Sequence, residues 1–229
     1  MKIAIVGLAG AGKDTFGEML VKHLGSDWEL AKYATPLKEL TRSIFGDDFD
    51  DREVKEVKRV LWEDAWLDGN RSTQLYASMY LKVRRFLECL PVKNTEYKAI
   101  EKFIDVICSL DEISPRQFQQ LFGTEVMRSI DNNFWVDQLM SKQGNLIITD
   151  ARFENEIDKV DKVFLILNNR LDINDVKYDH ASEQMAKLMT AGVKYDLFTG
   201  STLYVTNNSD LASLDRKANS WAKLIKTMQ

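Results

Sequence analysis

The chain opens with a strand-like apolar run followed by an amphipathic helical pattern. Residues 2–6 are apolar and rich in β-branched side chains, which predicts a short buried strand. Downstream, Phe16, Leu20 and Leu24 are spaced for one face of a helix, and Gly25 is typical of the residue that ends one. The first part of the chain is therefore predicted to be a strand, a glycine-rich turn and a helix.

Four further segments have the apolar character of strands, and helical patterns separate them. These segments are residues 28–33, 145–150, 163–167 and 203–206. Thr35 and Ser114 are predicted helix N-caps, because a proline follows each of them at the first helical position. Five strands that alternate with helices predict an α/β fold: a parallel five-stranded sheet with helices on both faces.

The middle of the chain has a different pattern. From residue 54 to residue 110 the apolar positions indicate several helices, with breaks near Gly69 and at Pro91 and without a strand-like run. We therefore predict a single domain whose core is formed by residues 1–50 and 112–229. An all-helical insert at about residues 51–111 is expected to interrupt this core.

The turn after the first strand has the spacing of a phosphate-binding P-loop. Gly7, four residues, Gly12 and Lys13 fit that motif, whereas the dinucleotide fingerprint fails because Thr15 stands where a glycine is needed. In a P-loop, backbone N–H groups and a helix N-terminus surround phosphate oxygens, and the lysine reaches the terminal phosphates. The alternative is an ordinary strand–turn–helix. The P-loop interpretation predicts ATP binding by Gly10, Ala11, Gly12, Lys13, Asp14 and Thr15.

The P-loop departs from the usual motif at Asp14, where a serine or threonine is expected. An acid in the first turn of a helix is favourable by itself, so Asp14 has an alternative interpretation as a helix-dipole acid. Beside a triphosphate, however, a carboxylate is repulsive unless a cation intervenes. Because Mg²⁺ prefers hard oxygen ligands, Asp14 and Thr15 are the candidate magnesium ligands.

A second candidate site residue ends the predicted strand at residues 145–150. Asp150 ends this apolar run, an arrangement that resembles a Walker B acid downstream of a P-loop. Parallel strands bring their carboxyl ends to one edge of the sheet, so Asp150 and the nearby Arg152 are expected beside the P-loop. The alternative is an aspartate that only caps the turn after its strand.

Composition narrows the classes of partner. The chain has 31 basic and 35 acidic residues and a net charge of −4, which disfavours binding to polymeric nucleic acid or to anionic membranes. Its two cysteines, Cys89 and Cys108, lack metal-site spacing and suggest a reduced, cytoplasmic protein. We also expect no membrane-spanning segment, because no apolar run is long enough.

One lysine and one arginine lie at predicted helix starts, where a positive charge interacts unfavourably with the helix dipole. Lys38 follows Pro36, and Arg116 follows Pro115. An anionic ligand would relieve this conflict, but Lys38 could equally be solvated. Arg116 could equally form a surface ion-pair set with Glu125 and Arg128.

At this point the sequence resembles the deoxynucleoside monophosphate kinases of tailed bacteriophages over most of its length. The resemblance is carried by an ordered set of motifs and is weak only in the helical insert. These motifs are Gly12-Lys13-Asp14-Thr15, residues 35–39, Asp51-Arg52-Glu53, residues 114–134 with Arg116 and Gly123-Thr124-Glu125, Trp135, Asp150-Ala151-Arg152 with Glu156, Asp179-His180, and residues 205–207. Arg128 and Asn208-Ser209 are departures from the family pattern.

The resemblance implies a P-loop NTPase-type fold and transfer of the ATP γ-phosphoryl group to a deoxynucleoside monophosphate (dNMP), with Mg²⁺ and with the insert binding the acceptor. It also implies a homodimer and, for a phage protein, the host cytoplasm. Lys13, Arg116, Asp150 and Arg152 are the implied catalytic residues. The implied dNMP-binding residues are Lys38, Arg52, Arg116, Gly123, Glu125, Trp135, Asp150, Arg152 and Glu156. Trp135 is expected either in the core or stacked on the base.

Two alternatives remain open at the level of sequence. One is another small-molecule P-loop kinase, similar to dephospho-coenzyme A kinase. The other is a nucleotide-dependent binding module or switch that hydrolyses ATP slowly while it holds a partner. Stoichiometric phosphorylation of a small acceptor would distinguish a kinase from a switch.

Overall fold

A computed structural model describes residues 1–51, 53–61, 63–67, 70–72, 74–89, 95–175, 181–192 and 202–228 of the chain. The chain forms two compact units. The first contains Met1–Tyr33 and Val136–Gln229, and the second contains Ala34–Trp135. The second unit contains more residues than the insert expected at residues 51–111. The helix after Tyr33 and the segments before Val136 also contribute side chains to its core.

The elements are numbered in chain order. The strands are β1 (Lys2–Val6), β2 (Trp28–Ala31), β3 (Arg59–Val60), β4 (Glu63–Leu67), β5 (Asn70–Ser72), β6 (Glu112–Ile113), β7 (Asn145–Ile148), β8 (Lys162–Leu167) and β9 (Thr202–Thr206). The helices are α1 (Lys13–Leu24), α2 (Thr35–Phe45), α3 (Gln74–Glu88), α4 (Thr95–Cys108), α5 (Pro115–Gln120), α6 (Phe134–Met140), α7 (Glu154–Ile157), α8 (Ala181–Thr190) and α9 (Leu211–Thr227). A π-helical segment (Leu121–Arg128) follows α5.

The first unit is built on a five-stranded parallel sheet with the strand order β2-β7-β1-β8-β9. Because successive side chains of a strand point to opposite faces, β1 contributes to two cores. Ile3 and Ile5 pack with residues of α1 and α9, whereas Ala4 and Val6 pack with residues of α6, α7 and α8. Helices therefore cover both faces of the sheet, and the predicted α/β fold is confirmed.

The second unit has its own core, in which aromatic rings are prominent. Phe118 and Phe122 lie parallel with their ring centroids 5.6 Å apart, and Phe45 meets Phe118 edge to face at 5.8 Å. Offset-stacked and edge-to-face pairs of this kind add to the stabilisation that burial of the rings provides. Phe103, which is also fully buried, meets Phe122 edge to face.

The expectation of an all-helical insert is wrong. Two antiparallel ribbons occur in the second unit, one formed by β3 and β6 and the other by β4 and β5. Their strands are two to five residues long. Such short strands leave almost no alternation for a sequence pattern to detect, and the β4–β5 register is shifted between Glu63 and Trp66.

The two predicted helix caps differ in outcome. Ser114 is confirmed as the N-cap of α5, because its hydroxyl oxygen accepts a hydrogen bond of 3.1 Å from the backbone N–H of Gln117. The prediction for Thr35 is wrong by one position. Helix α2 already includes Thr35 and is preceded by Ala34, whose backbone is near-helical.

None of the helices in the described part of the chain is both long and apolar enough to cross a lipid bilayer.

Gly17 allows α1 to lie close to the sheet. A Cβ atom at this position would lie 2.5 Å from Cγ2 of Thr149 and 3.1 Å from Cδ1 of Leu30. We expect Gly17→Ala to lower the free energy of unfolding by about 1–2 kcal/mol in urea titrations, although alanine is intrinsically the better helix former.

Thr149→Ser provides the matched background for this substitution, because it retains the hydroxyl group and removes Cγ2. In that background the cost of Gly17→Ala should shrink. A Gly17→Ala protein as stable as the unsubstituted chain would contradict the close packing of α1.

Candidate functional site

Residues 7–12, termed the glycine loop, connect β1 to the N-terminus of α1. The backbone of Gly10 and Gly12 has φ values of 83° and 97°, in the left-handed region that favours glycine. The ammonium group of Lys13 donates hydrogen bonds to the carbonyl oxygens of Gly7 at 2.7 Å and Leu8 at 3.0 Å. The predicted P-loop segment thus forms a turn that holds a cation against its own carbonyl groups.

Asn207, in the loop after β9, supports the glycine loop. Its side-chain amide donates to the carbonyl oxygen of Ala11 at 2.8 Å, and its backbone N–H donates to Leu167 at the end of β8 at 2.7 Å. A Cβ atom at Gly12 would lie 2.5 Å from Nδ2 of Asn207. Glycine at position 12 is therefore required by the close approach of Asn207 as well as by its backbone angle.

Asp14 is held by two side chains at the carboxyl edge of the sheet. Its Oδ1 atom accepts a hydrogen bond from the hydroxyl of Thr149 at 2.7 Å and forms an ion pair with the ammonium of Lys32 at 2.7 Å. Burial alone would raise the pKa of the Asp14 carboxyl, but hydrogen bonds from Lys32 and Thr149, with the charges of Lys32 and Lys13, lower it. Asp14 is therefore an anion at neutral pH.

Asp150 links the ends of two neighbouring strands. Its Oδ1 atom accepts a hydrogen bond of 2.8 Å from the backbone N–H of Tyr33, just after β2. The hydroxyl of Tyr33 in turn donates to the carbonyl oxygen of Glu156 at 2.7 Å. Asp150 is thus held by the backbone that follows the neighbouring strand β2, at the sheet edge where the Walker B interpretation places it.

Glu156 serves the backbone of its own loop. Its side chain is 3% exposed, and Oε2 accepts hydrogen bonds from the backbone N–H groups of Arg152 at 2.7 Å and Phe153 at 3.1 Å. These bonds satisfy N–H groups at the start of α7, as an acid in the first helical turn often does. The buried carboxylate therefore positions Arg152, whose side chain is exposed, and the structure shows this local role for Glu156.

The cations predicted at helix starts of the second unit have acidic partners. Lys38 pairs with Asp50, and an amino group of Arg116 lies 2.9 Å from a carboxylate oxygen of Glu56. The surface ion pair considered for Arg116 is therefore present, but with Glu56 in place of Glu125. Its members are about half exposed, at 51% and 59%, so the pair is weak and open to competition from another anion.

Three predicted acceptor residues lie on or beside the π-helical segment. Gly123 is buried and Glu125 is exposed. The indole N–H of Trp135 donates to the carbonyl oxygen of Gly123 at 3.0 Å, and the Trp135 side chain is 4% exposed. Because its ring packs against Phe134 and Phe86, Trp135 belongs to the core of the second unit, and the stacking alternative is not supported.

Some sequence predictions cannot be placed. Arg52, Asp179 and His180 lie outside the described residues. In the described ranges, no group of three or more histidine, cysteine, aspartate and glutamate side chains could hold a metal ion.

Three residues contact the predicted ATP-binding segment without having been predicted to do so: Lys32, Thr149 and Asn207. Only Asn207 belonged to a motif of the family resemblance, and no role was expected of it. Each of them directly follows an observed strand, but Lys32 and Thr149 had been predicted to lie within the strands at residues 28–33 and 145–150. Parallel strands bring such residues to the same sheet edge, but the spacing does not say which side chain will contact which.

A matched pair of substitutions tests the support that Asn207 gives to the glycine loop. Asn207→Asp removes the donor to Ala11 and leaves two acceptors facing each other, so we expect about a tenfold rise in the Kd for MgATP. Asn208→Asp adds the same charge one residue later. It preserves an acceptor for the Asn169 backbone N–H, which Asn208 Oδ1 accepts at 2.8 Å.

Isothermal titration of both variants with MgATP decides the matter, and Asn208→Asp should stay within about twofold of the unsubstituted protein. Equal weakening by the two substitutions would mean that added charge, and not the lost hydrogen bond, controls affinity.

Comparison with known proteins gives the family. No curated protein shows significant similarity to the chain. Residues 2–217, which include all five strands of the parallel sheet, match a family model described as deoxynucleotide monophosphate kinase. The match spans most of the 229 residues, and the chain therefore belongs to the deoxynucleotide monophosphate kinase family.

Proposed function

We propose that this kinase transfers the γ-phosphoryl group of ATP to the 5′-phosphate of a deoxynucleoside monophosphate, producing ADP and a deoxynucleoside diphosphate. Membership of the family supplies the class of reaction. The observation that most supports ATP as the donor is the position of Lys13, whose ammonium lies on the carbonyl groups of the glycine loop at the N-terminus of α1. A lysine at the N-terminus of a helix suits the terminal phosphates of a nucleotide.

The proposed donor site consists of the glycine loop and the first turn of α1. Gly10, Ala11 and Gly12 would present backbone groups to phosphate oxygens, while Lys13 would neutralise negative charge on the β- and γ-phosphates. The left-handed backbone at Gly10 and Gly12 supports this role, since it lets successive peptide groups turn within a short loop.

Mg²⁺ is the proposed cofactor. The Asp14 side chain is 58% exposed and Thr15 is half-buried, so both offer hard oxygen atoms that fit this cation. When bound with ATP, Mg²⁺ neutralises charge on the β- and γ-phosphate oxygens. A site with few protein ligands suits Mg²⁺, because this ion commonly keeps water and phosphate oxygens in its coordination shell.

The acceptor phosphate is assigned to cations. The candidates are Lys38, Arg52, Arg116 and Arg152. Guanidinium groups bind phosphate with two parallel hydrogen bonds, which fixes the direction of the attacking oxygen. Gly123 and Glu125 are the proposed dNMP contacts on the π-helical segment, and Trp135 supports them from the core through its bond to Gly123.

In the proposed reaction the protein mainly positions the two nucleotides and neutralises the negative charge of their phosphates. The attacking oxygen belongs to the dNMP phosphate and is already anionic, so no general base is needed. Lys13, Arg116 and Arg152 would neutralise charge on the transferring group, and Asp150 would orient the acceptor or water at the sheet edge. Family kinases generally act on monomeric nucleotides, which agrees with the net charge of −4.

The biological setting is also a proposal. We infer a cytoplasmic homodimer that supplies precursors for DNA synthesis, in the host cytoplasm if a phage encodes it, without binding polymeric nucleic acid or membranes. The support is the family resemblance together with the acidic composition.

A substrate panel tests the proposed function. Purified protein with MgATP should convert at least one common dNMP, including hydroxymethylated dCMP in the panel, to its diphosphate with one ADP formed per product. Lys13→Ala should lower kcat/KM by about a thousandfold, because the lysine neutralises the transferring group. Lys22→Met, which alters an exposed lysine in the last turn of α1, is the control.

Circular dichroism should show that all these variants are folded. ATP hydrolysis without phosphorylation of any acceptor would contradict the proposed kinase activity. Near-normal turnover by the Lys13→Ala variant at saturating MgATP would contradict the assignment of the ATP-binding site to the glycine loop.

Arg116 tests the acceptor assignment. Arg116→Ala should raise the Kd for dNMP by about tenfold or more and change the Kd for ATP little, and Arg116→Lys should restore only part of the loss. Glu56→Gln removes the acid that pairs with Arg116, so it should leave dNMP binding unchanged or tighter.

Arg42→Ala is the matched surface control, because Arg42 also lies in an exposed ion pair of the second unit, 3.6 Å from Asp47. Separate titrations with ATP and with dNMP distinguish the two sites. Equal losses for both nucleotides would place Arg116 on the donor side or in the fold.

A further inference from the structure

The first turn of α1 poses an electrostatic problem for the proposed donor site. Asp14 follows Lys13 directly and is anionic, so its negative charge lies beside the segment assigned to a triphosphate. Like charges at such short range repel strongly when protein partly excludes water. A donor site with this acid must compensate its charge, either with the metal that accompanies ATP or with a cation of the protein.

The structure contains such a cation. The Lys32 ammonium is 2.7 Å from Oδ1 of Asp14, and the Thr149 hydroxyl donates to the same oxygen at 2.7 Å. Two hydrogen-bond donors on one carboxylate oxygen hold it in place, and the positive charge of Lys32 compensates the charge of the carboxylate. Both donors are at least partly buried, since Thr149 is 1% exposed and 34% of the Lys32 side chain is exposed, whereas 58% of the Asp14 side chain is exposed.

The sheet brings these two donors together. Strands β2 and β7 are parallel neighbours, with Ala31 opposite Ile148, and Lys32 and Thr149 are the next residues along each strand. The backbone N–H of Thr149 donates to Ala31 at 3.3 Å, which continues the ladder to this point. The position of both donors therefore depends on strand register and not on a local turn.

We propose that Lys32 is a positioning residue of the donor site: it neutralises and holds the Asp14 carboxylate, so that the glycine loop accepts a nucleoside triphosphate before a divalent cation is bound. This inference rests on the proposed function only in taking ATP as the ligand of the glycine loop. Lys32 acts on ATP through Asp14 and does not bind phosphate itself.

The proposal predicts that the effect of Lys32 depends on metal. Without Mg²⁺, removal of the lysine leaves an uncompensated carboxylate beside the triphosphate, and binding weakens. With Mg²⁺ bound to the nucleotide, the added positive charge offsets the carboxylate, so the loss of Lys32 has a smaller effect. A lysine that contacted phosphate directly would show its loss whether or not Asp14 retained its charge.

A double-mutant cycle on ATP binding tests this. Isothermal titration of the unsubstituted protein, Lys32→Met, Asp14→Asn and the double variant is carried out with ATP in EDTA and with MgATP. Lys32→Met should raise the Kd in EDTA about tenfold and the Kd for MgATP by no more than about threefold. The double variant should bind metal-free ATP within about threefold of Asp14→Asn alone, because no unpaired charge remains.

Lys22→Met is the control for the loss of one positive charge and should leave both constants unchanged. Thermal melting of each variant checks that it is folded. If the double variant binds metal-free ATP as weakly as Lys32→Met, the lysine is a direct phosphate ligand and the proposal is overturned. An unchanged metal-free Kd for Lys32→Met, or a lack of ATP binding by the unsubstituted protein, also overturns it.

The same titrations separate this inference from the proposed function. A protein that shows the expected cycle for ATP but phosphorylates no dNMP would contradict the proposed reaction and support the role of Lys32.

Discussion

The candidate donor site depends on the parallel pairing of β1 with β7 and β8. This pairing is a constraint because it places the carboxyl ends of the central strands at a common edge, where the chain must turn. The glycine loop leaves β1 at that edge, and Thr149 and Asp150 follow β7 there. A shift in register by one residue would move the alternating side chains of β1 between the two cores, so the register is strongly fixed.

Three acidic side chains near this edge form hydrogen bonds or ion pairs with other groups of the chain. Asp14 meets Lys32 and Thr149, Asp150 accepts from the backbone of Tyr33, and Glu156 accepts from two backbone groups of its own loop. Each carboxylate is thereby held in one orientation. The interactions at Asp150 and Glu156 also explain why an acid at the end of a strand or the start of a helix is weak evidence for catalysis by itself.

The parts of the fold that sequence predicted correctly have local signals. Residues that lie close together in the chain determine the strand at residues 2–6, helix α1 and the Ser114 cap. The β3–β6 ribbon and the contact of Asn207 with Ala11 depend on residues far apart in sequence, and the Lys32–Asp14 pair joins residues of two different elements. The π-helical segment also escaped detection, because its apolar spacing differs little from that of an α-helix over so few residues.

The contact between Asn207 and Ala11 joins residues 196 positions apart, so a ribosome synthesises its two members at widely separated times. Strand β1 is synthesised well before its neighbours β7 and β8, because the whole of the second unit lies between them in the chain. The brace from Asn207 arrives later still. The glycine loop of a nascent chain therefore lacks this support until Asn207 has been synthesised, so the loop acquires its final shape only after that residue has left the ribosome.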